Sequence, residues 1–451
     1  MPETNDEIRL EPGARVQIVL IPGFAGFDAL GQLEYYAGVT PLFSVWQRRR
    51  PERAAVALHY FDNFPTASVA VRAGRLASFL AKRVARGEIS SNDSIALVGH
   101  STGGLDIRHL IRDLAHIRQP ILVDGGADNA LPVNPKEILR RVKRIVFLSV
   151  PQWGTNIADW VTARTWERQL VVGKLRATVA ASQVPLLDTL ERLLAGSAAN
   201  LLKAGLVYAL QDALREAEAD TPRNEMGTAM AQEAASVLQL WLRHITSDFR
   251  AIDDLTSWSP HGDDRSPAHY TAQGRREEEA VWKQHRIGVR SYATRGPNPF
   301  RFTHTPVPVW ELLKPWTGPE CDLERKTSAA TDIVYRACYR ACAAGPFDFP
   351  PCPDPPTATH LLKGLSEPVA LWDNDGIVNT ASMLWPNGEE TLLLDADHMD
   401  IVGHYHDVEA RPGSDRKFQA YNLLKSGSDV ERRNSPAFEK VWEGVFDFCC
   451  P

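Results

Sequence analysis

The chain has little that would direct it to nucleic acid or into a membrane. Its 451 residues carry 50 lysines and arginines against 56 aspartates and glutamates, for a net charge of −6 and an isoelectric point near 6.1. This balance leaves no basic surplus for binding nucleic acid or an anionic membrane surface, so neither partner is expected. The longest stretch without a charged residue, 145–158, is only 14 residues long, whereas a membrane-spanning helix needs about 20.

The first residues lack the features of an export signal. Residues 1–15 are polar and of mixed charge, with neither an apolar core nor a small-residue cleavage site. We therefore expect a cytoplasmic protein. Internal repeats and low-complexity segments are also absent from the sequence, and its 44% hydrophobic and 24% charged residues are typical of a globular protein with a large core.

Cysteine is scarce and unevenly placed. Four cysteines lie in one proline-rich stretch and two end the chain, namely Cys321, Cys338, Cys342, Cys352, Cys449 and Cys450. Their spacings match no zinc finger or zinc ribbon. In a reducing cytosol we expect free thiols ahead of a disulfide, and a metal site is the least favoured of the three interpretations.

What the first 155 residues do contain is an alternation of short apolar runs and helical patterns. The apolar runs lie at 16–21, 54–60, 95–98 and 145–150, and the helical patterns at 68–84 and from about 103 onward. Because the apolar runs show no polar alternation, they predict a mostly parallel sheet covered by helices on both faces. We assign residues 1–155 to the first part of an α/β core.

The pattern changes in the rest of the chain. Residues 156–285 are predicted to form a helical cap inserted into the core, and residues 286–451 its second part. In that part we expect strands at 287–292 and 391–394, a further strand at 368–372, and a closing helix at 436–448. A loop insertion at about 294–360 holds many prolines and four of the cysteines.

The strongest chemical signal is the pattern Gly-x-Ser-x-Gly at residues 99–103. A predicted strand leads into it and a predicted helix leads out, the context in which this pattern forms a sharp nucleophile elbow. The two glycines remove side-chain bulk from the strained turn, and the helix N-terminus favours developing negative charge. The pattern alone occurs by chance in many chains, but in this context it predicts that Ser101 is a nucleophile.

A serine hydroxyl needs a base to act as a nucleophile, and the chain has 13 histidines. His398 is the preferred base, because it comes just after the last predicted strand. His404 and His406 follow closely and are its rivals. His100, inside the elbow, and His109, on the following helix, are not preferred.

The acid that orients the base is expected between serine and histidine in the chain. Asp375 is preferred, because it follows the apolar run 368–372. Asp373 is its nearest competitor, whereas Asp395 and Asp397 lie too close to the histidine in the chain.

An acyl-transfer site also needs two backbone N–H groups to hold the oxyanion. Thr102, the residue after the nucleophile, is expected to provide one of them. The loop after the first strand opens with Pro-Gly-Phe at 22–24, and the amide of Phe24 is the expected second donor.

These segments together resemble bacterial lipases of the thermophilic-bacillus and staphylococcal kind. The similar segments are, in chain order, 18–26, 99–104, 150–155, 374–383 and 397–403. The resemblance implies an α/β-hydrolase fold with Ser101, Asp375 and His398 as the triad. It does not extend to the cap or to the cysteine insertion.

Departures from the family pattern lie at several site positions. Pro22 and Gln152 each replace a usual histidine, and we expect Gln152 and its neighbour Trp153 to contribute to substrate binding. Asp400 matches a position that helps to hold a structural calcium in these lipases, but Tyr405 stands where a second acidic ligand is expected. From the sequence we therefore predict no metal, and no cofactor is expected.

The main hypothesis is a serine ester hydrolase that cleaves a hydrophobic small-molecule ester through an acyl-enzyme. A lactonase and an acyltransferase with the same triad, and a non-catalytic binding protein on the same fold, remain as alternatives. Three tryptophans of the cap suggest a bulky hydrophobic substrate, although they are expected mostly to pack the cap itself, namely Trp160, Trp166 and Trp241.

Overall fold

The structure is a computed structural model. It describes residues 14–24, 29–30, 33–50, 55–124, 130–163, 250–257, 266–299, 335–336, 338–345, 356–386, 391–405, 422, 424–432 and 435–451. Most of the expected cap (residues 164–249), the rival base His406, and Cys321 and Cys352 lie outside these ranges.

Twelve strands and eight helices are labelled here in chain order. The strands are β1 (Val16–Ile21), β2 (Ala29–Leu30), β3 (Leu33–Glu34), β4 (Val56–Tyr60), β5 (Ser94–His100), β6 (Ile121–Asp124), β7 (Ala130–Val133), β8 (Val142–Leu148), β9 (Gly288–Thr294), β10 (Thr357–His360), β11 (Ser366–Pro368) and β12 (Leu392–Leu394). The helices are α1 (Val39–Arg49), α2 (Val69–Ala85), α3 (Thr102–His116), α4 (Pro135–Arg141), α5 (Asn156–Ala163), α6 (Arg250–Asp254), α7 (Ala272–Gln284) and α8 (Ala437–Cys449).

Eight of the strands form one central sheet in the order β11-β10-β12-β9-β8-β5-β1-β4. All neighbours are parallel except β10 and β11 at one edge. The order places β5, which leads into the predicted elbow, near the middle of the sheet. This mostly parallel sheet confirms the expected α/β fold class.

Helices cover both faces of the sheet. Val16, Ile18 and Leu20 of β1 pack in one core cluster with α1 and α8, whereas Val19 and Ile21 pack in a second cluster with α2 and α3. Every residue of β1 is buried as a result. This double burial explains why the strand shows no polar alternation in sequence.

In the central sheet, the predicted strand at 368–372 is wrong and one strand was missed, and the two-stranded sheets β2-β3 and β6-β7 were not predicted either. Residues 369–372 do not form a strand: β11 ends at Pro368, and Trp372 is 57% exposed in a turn where Asp373 accepts the Ala370 N–H. The missed strand, β10, lies inside the predicted loop insertion. Its sequence, Thr-Ala-Thr-His, has no apolar run, so hydrophobic patterning could not identify it.

The C-terminal end of the expected cap packs on the core. Trp282 of α7 is buried in the cluster that includes α2 and α3, and Glu278 forms an ion pair with Arg108 of α3 at 2.8 Å. This helix therefore covers the sheet. None of the described helices combines the length and hydrophobicity needed to cross a membrane.

Candidate active site

Ser101 lies in the sharp turn between β5 and α3. Its backbone angles, φ of 53° and ψ of −129°, are a conformation that residues other than glycine rarely adopt. The turn packs closely against β1, since a Cβ atom on Gly103 would lie 2.4 Å from the Ile21 carbonyl oxygen. A Cβ atom on Gly99 would lie 2.7 Å from the backbone of Gly103. The two glycines are thus required by packing, and the turn projects Ser101 from the carboxyl edge of the sheet.

Asp375 is fully buried and accepts four hydrogen bonds. Its Oδ1 takes the backbone N–H groups of Ile377 at 3.0 Å and Val378 at 2.7 Å. Its Oδ2 lies 2.6 Å from the Thr294 hydroxyl and 2.8 Å from Nδ1 of His398. With both oxygens occupied, the carboxylate is held in one orientation.

His398 is placed by Asp375 and by the residue before the serine. Besides the Nδ1 contact, its backbone N–H donates to the Asp375 carbonyl at 3.0 Å. Its ring lies 4.6 Å, centroid to centroid, from the ring of His100, the residue that precedes Ser101. A carboxylate on Nδ1 selects the tautomer in which Nε2 is free to accept a proton. The structure thus joins Asp375 to His398 and places His398 against the residue that precedes Ser101.

The competing residues have other partners. His404 is buried and its Nε2 donates to the Tyr35 carbonyl at 3.0 Å. Burial lowers the pKa of His404 to about 4. Asp395 pairs with Arg295 at 2.8 Å and with His360 at 3.1 Å. These contacts give both residues structural roles.

The two segments that carry the expected oxyanion donors lie beside the serine. The loop after β1 approaches so closely that a Cβ atom on Gly23 would lie 2.6 Å from Cβ of Ser101. Phe24 follows directly and is half-buried. Thr102 is the first residue of α3, where the backbone N–H groups have no partner within the helix. The geometry brings both expected segments next to Ser101.

Gln152 and Trp153, the expected substrate-binding residues, are buried against the core. The Gln152 side chain accepts a hydrogen bond from Arg108 at 3.0 Å, and its backbone N–H donates to Ser382. Trp153 is 4% exposed, and the guanidinium of Arg275 lies 4.9 Å from its ring. Both side chains therefore pack against arginines of α3 and α7. A contact of either side chain with the substrate stays a prediction.

An acidic cluster includes the residue that precedes His398 in the chain. Single carboxylate oxygens of Asp397, Asp400 and Glu431 all lie within 4.8 Å of one another. Asp397 Oδ2 and Asp400 Oδ1 are buried and find no hydrogen-bond partner among the described residues. Burial and the neighbouring Asp400 charge raise the pKa of Asp397 well above its usual value; burial and Glu431 do the same for Asp400.

This cluster fits a hard divalent cation. Calcium prefers carboxylate oxygens, and it would neutralise charges that otherwise require protonation. The absence of a metal, expected from the sequence, stays a prediction. Asp397 and Asp400 lie three residues apart in the sequence, whereas Glu431 lies 31 residues beyond Asp400, so the sequence alone could not place all three carboxylates together.

Three further residues that contact the site were not predicted from the sequence. Thr294 ends β9, Tyr35 follows β3, and Arg72 lies on α2, so each contacts the site from a distant part of the chain. Nothing in their local sequence distinguishes them from ordinary strand or helix residues.

The chain is similar to several solved structures at low sequence identity. No family model matches the chain, and no curated protein matches it. Among solved structures, EstA from Clostridium botulinum is similar at 16% identity and a TM-score of 0.42, over 89% of this chain and 86% of that one. Lipase 1 from Pelosinus fermentans is similar at 15% identity and a TM-score of 0.38, over 96% and 98%. Staphylococcus hyicus lipase is similar at 14% identity and a TM-score of 0.36, over 92% and 95%.

Proposed function

We propose that the protein is a serine carboxylic ester hydrolase that acts through an acyl-enzyme. The observation that carries this proposal is the 2.8 Å contact between Asp375 Oδ2 and His398 Nδ1 beside a serine in a strained strand-to-helix turn. An acid that orients a base next to a nucleophile is the arrangement of a catalytic triad.

In the proposed mechanism, Ser101 Oγ attacks the ester carbonyl carbon as His398 Nε2 takes the hydroxyl proton. Asp375 holds the imidazole in the required tautomer and stabilises the imidazolium that forms. The backbone N–H groups of Phe24 and Thr102 hold the oxyanion. When the tetrahedral intermediate collapses, His398 returns the proton to the leaving alcohol. Water then repeats the sequence on the acyl-enzyme and releases the acid.

The oxyanion donors would supply a large part of the rate enhancement. Loss of one such donor typically costs about 2.7–4 kcal/mol of activation free energy. The N-terminus of α3, behind Ser101, adds a favourable field for the same negative charge. The substrate class in this proposal is a hydrophobic small-molecule ester.

The proposal is tested with p-nitrophenyl esters of increasing acyl length and a fluorophosphonate probe. We expect hydrolysis by the wild type, labelling of Ser101, and loss of both in Ser101→Ala. His398→Ala should lose turnover, whereas His404→Gln, which keeps a donor for the Tyr35 carbonyl, should retain it. Turnover that survives Ser101→Ala would disprove the mechanism. Turnover lost in His404→Gln but not in His398→Ala would disprove the assignment of the base.

A further inference from the structure

Two side chains connect the oxyanion loop to the loop that carries His398. The Tyr35 hydroxyl lies 2.8 Å from the Gly23 backbone nitrogen and 2.6 Å from Nδ1 of His100. The other ring nitrogen of His100, Nε2, lies 3.0 Å from the His398 carbonyl oxygen. Both side chains are buried. An unbroken series of hydrogen bonds therefore runs from Gly23 to His398, past Ser101.

The chemistry of the groups determines the direction of each hydrogen bond. The His398 carbonyl can only accept, so Nε2 of His100 carries the proton. Burial, and to a smaller extent the charge of the nearby His398, lowers the pKa of His100 well below its usual value. The ring is therefore kept neutral. Nδ1 must then accept from the Tyr35 hydroxyl, whose oxygen accepts the Gly23 N–H. Each group makes the bond that its chemistry allows.

We propose that Tyr35 and His100 are positioning residues that set the separation between the oxyanion loop and His398. This inference rests on the proposed function. Gly23 immediately precedes the expected donor Phe24, and its backbone lies against Ser101. A shift of the Gly23 backbone would therefore move an oxyanion donor, and a shift of the His398 backbone would move the base. Small displacements of this kind lower the rate of the chemical step more than they lower the affinity for substrate.

Tyr35→Phe tests the first residue of this series. It removes one oxygen and leaves both the Gly23 N–H and His100 Nδ1 without their partner. We expect kcat for p-nitrophenyl butyrate to fall about 10-fold to 100-fold, while KM changes by less than about twofold.

Tyr36→Phe is the matched control. Tyr36 is the adjacent residue and is also buried; its hydroxyl donates to the Ile21 carbonyl at 2.6 Å and contacts the backbone of His100 but not its ring. Both variants should lower the melting temperature, but Tyr36→Phe should keep kcat within about twofold of the wild type. Equal kcat in the two variants would overturn the inference.

His100 provides a second test that does not depend on Tyr35→Phe folding. His100→Gln offers one amide acceptor for the Tyr35 hydroxyl and one N–H donor for the His398 carbonyl, whereas His100→Leu offers neither. We expect kcat of the glutamine variant to exceed that of the leucine variant by about tenfold. Equal kcat values would contradict the role of His100.

The two levels of failure are distinguishable. A wild type that hydrolyses esters and is labelled at Ser101, with a Tyr35→Phe variant of normal kcat, refutes only the positioning role. A wild type that neither hydrolyses esters nor reacts with the fluorophosphonate refutes the proposed function, and the positioning role falls with it.

Discussion

Thr294 is the residue whose contacts bear most directly on the proposed acid. Its hydroxyl donates to Asp375 Oδ2 at 2.6 Å and lies 2.7 Å from the hydroxyl of Ser149. The Ser149 hydroxyl can therefore donate to Thr294, which in turn donates to Asp375. Such a series polarises each of its members and strengthens the last bond.

Replacement of Thr294 should therefore impair turnover through Asp375. Thr294→Val keeps the shape of the side chain and removes the donor, and we expect kcat/KM for p-nitrophenyl esters to fall about tenfold. Thr294→Ser keeps the hydroxyl and should stay within about threefold of the wild type. Steady-state kinetics of the two variants measure the difference. Identical values for valine and serine would show that the hydroxyl does not act on the acid.

At the scale of elements, an ion pair of α2 and α3 anchors the loops around the site. Arg72 and Asp106 are both fully buried and lie 2.8 Å apart. The Arg72 guanidinium also donates to backbone carbonyls of the two loops that follow β1 and β4, namely those of Pro22, Gly23, Phe64 and Pro65. One side chain thereby fixes two helices and two loops.

Removal of the arginine alone should be costly. Arg72→Met leaves the Asp106 carboxylate buried without a counter-charge, and we expect a loss of about 3–5 kcal/mol in the free energy of unfolding. Arg72→Met combined with Asp106→Leu should recover part of that loss, since no charge then remains buried. Urea unfolding measures both variants.

The matched control for the ion pair lies on the same helix. Arg83 of α2 pairs with Glu88 at 2.7 Å, but the two side chains are 26% and 42% exposed. Arg83→Met should cost less than about 1 kcal/mol, because exposed ion pairs contribute little. If Arg72→Met lowered the free energy of unfolding by no more than Arg83→Met does, the buried ion pair would contribute no more to stability than the exposed one.

The elements also show where sequence patterning succeeds. β1, β5, β8 and β9 lie inside the sheet and are flanked by helices, so each has the apolar residues that patterning detects. β10 was missed and 368–372 was wrongly assigned because both lie near the edge of the sheet. There, neighbouring elements decide which segment pairs, and local hydrophobicity does not.

At the scale of the whole molecule, the acidic cluster joins the turn after β12 to a segment near the C-terminus. If it binds calcium, millimolar CaCl2 should raise the melting temperature by several degrees relative to EDTA, since a ligand that binds only the folded state stabilises it. Asp400→Asn should abolish that increase. An unchanged melting temperature in calcium, with the wild type stripped by EDTA beforehand, would show that the cluster is held by protons instead.

The pH dependence of global stability should reflect the buried histidines. The pKa of His404 is lowered to about 4 in the folded chain, against about 6.5 when unfolded. The unfolded state therefore gains protons first as the pH falls, and the stability present above pH 6.5 is lost toward pH 4. By pH 5 the loss from His404 amounts to about 2 kcal/mol.

His100 acts in the same direction, because its pKa is also lowered. His404→Gln should therefore reduce the pH dependence of unfolding without removing it. Urea unfolding of wild type and variant between pH 5 and pH 8 measures this difference. Parallel curves for the two proteins would exclude His404 as a source of the pH dependence.

The sequence by itself determined the four strands of the central sheet and the helices α2 and α3 in the first 155 residues, the turn at Ser101 and the candidate acid and base. These features depend on local patterns: apolar runs, glycines and the order of motifs along the chain. Only the tertiary structure decided that His398, and not His404, meets Asp375, and that Glu431 joins Asp397 and Asp400. Both outcomes depend on contacts between distant segments, and those contacts are set by how the elements pack.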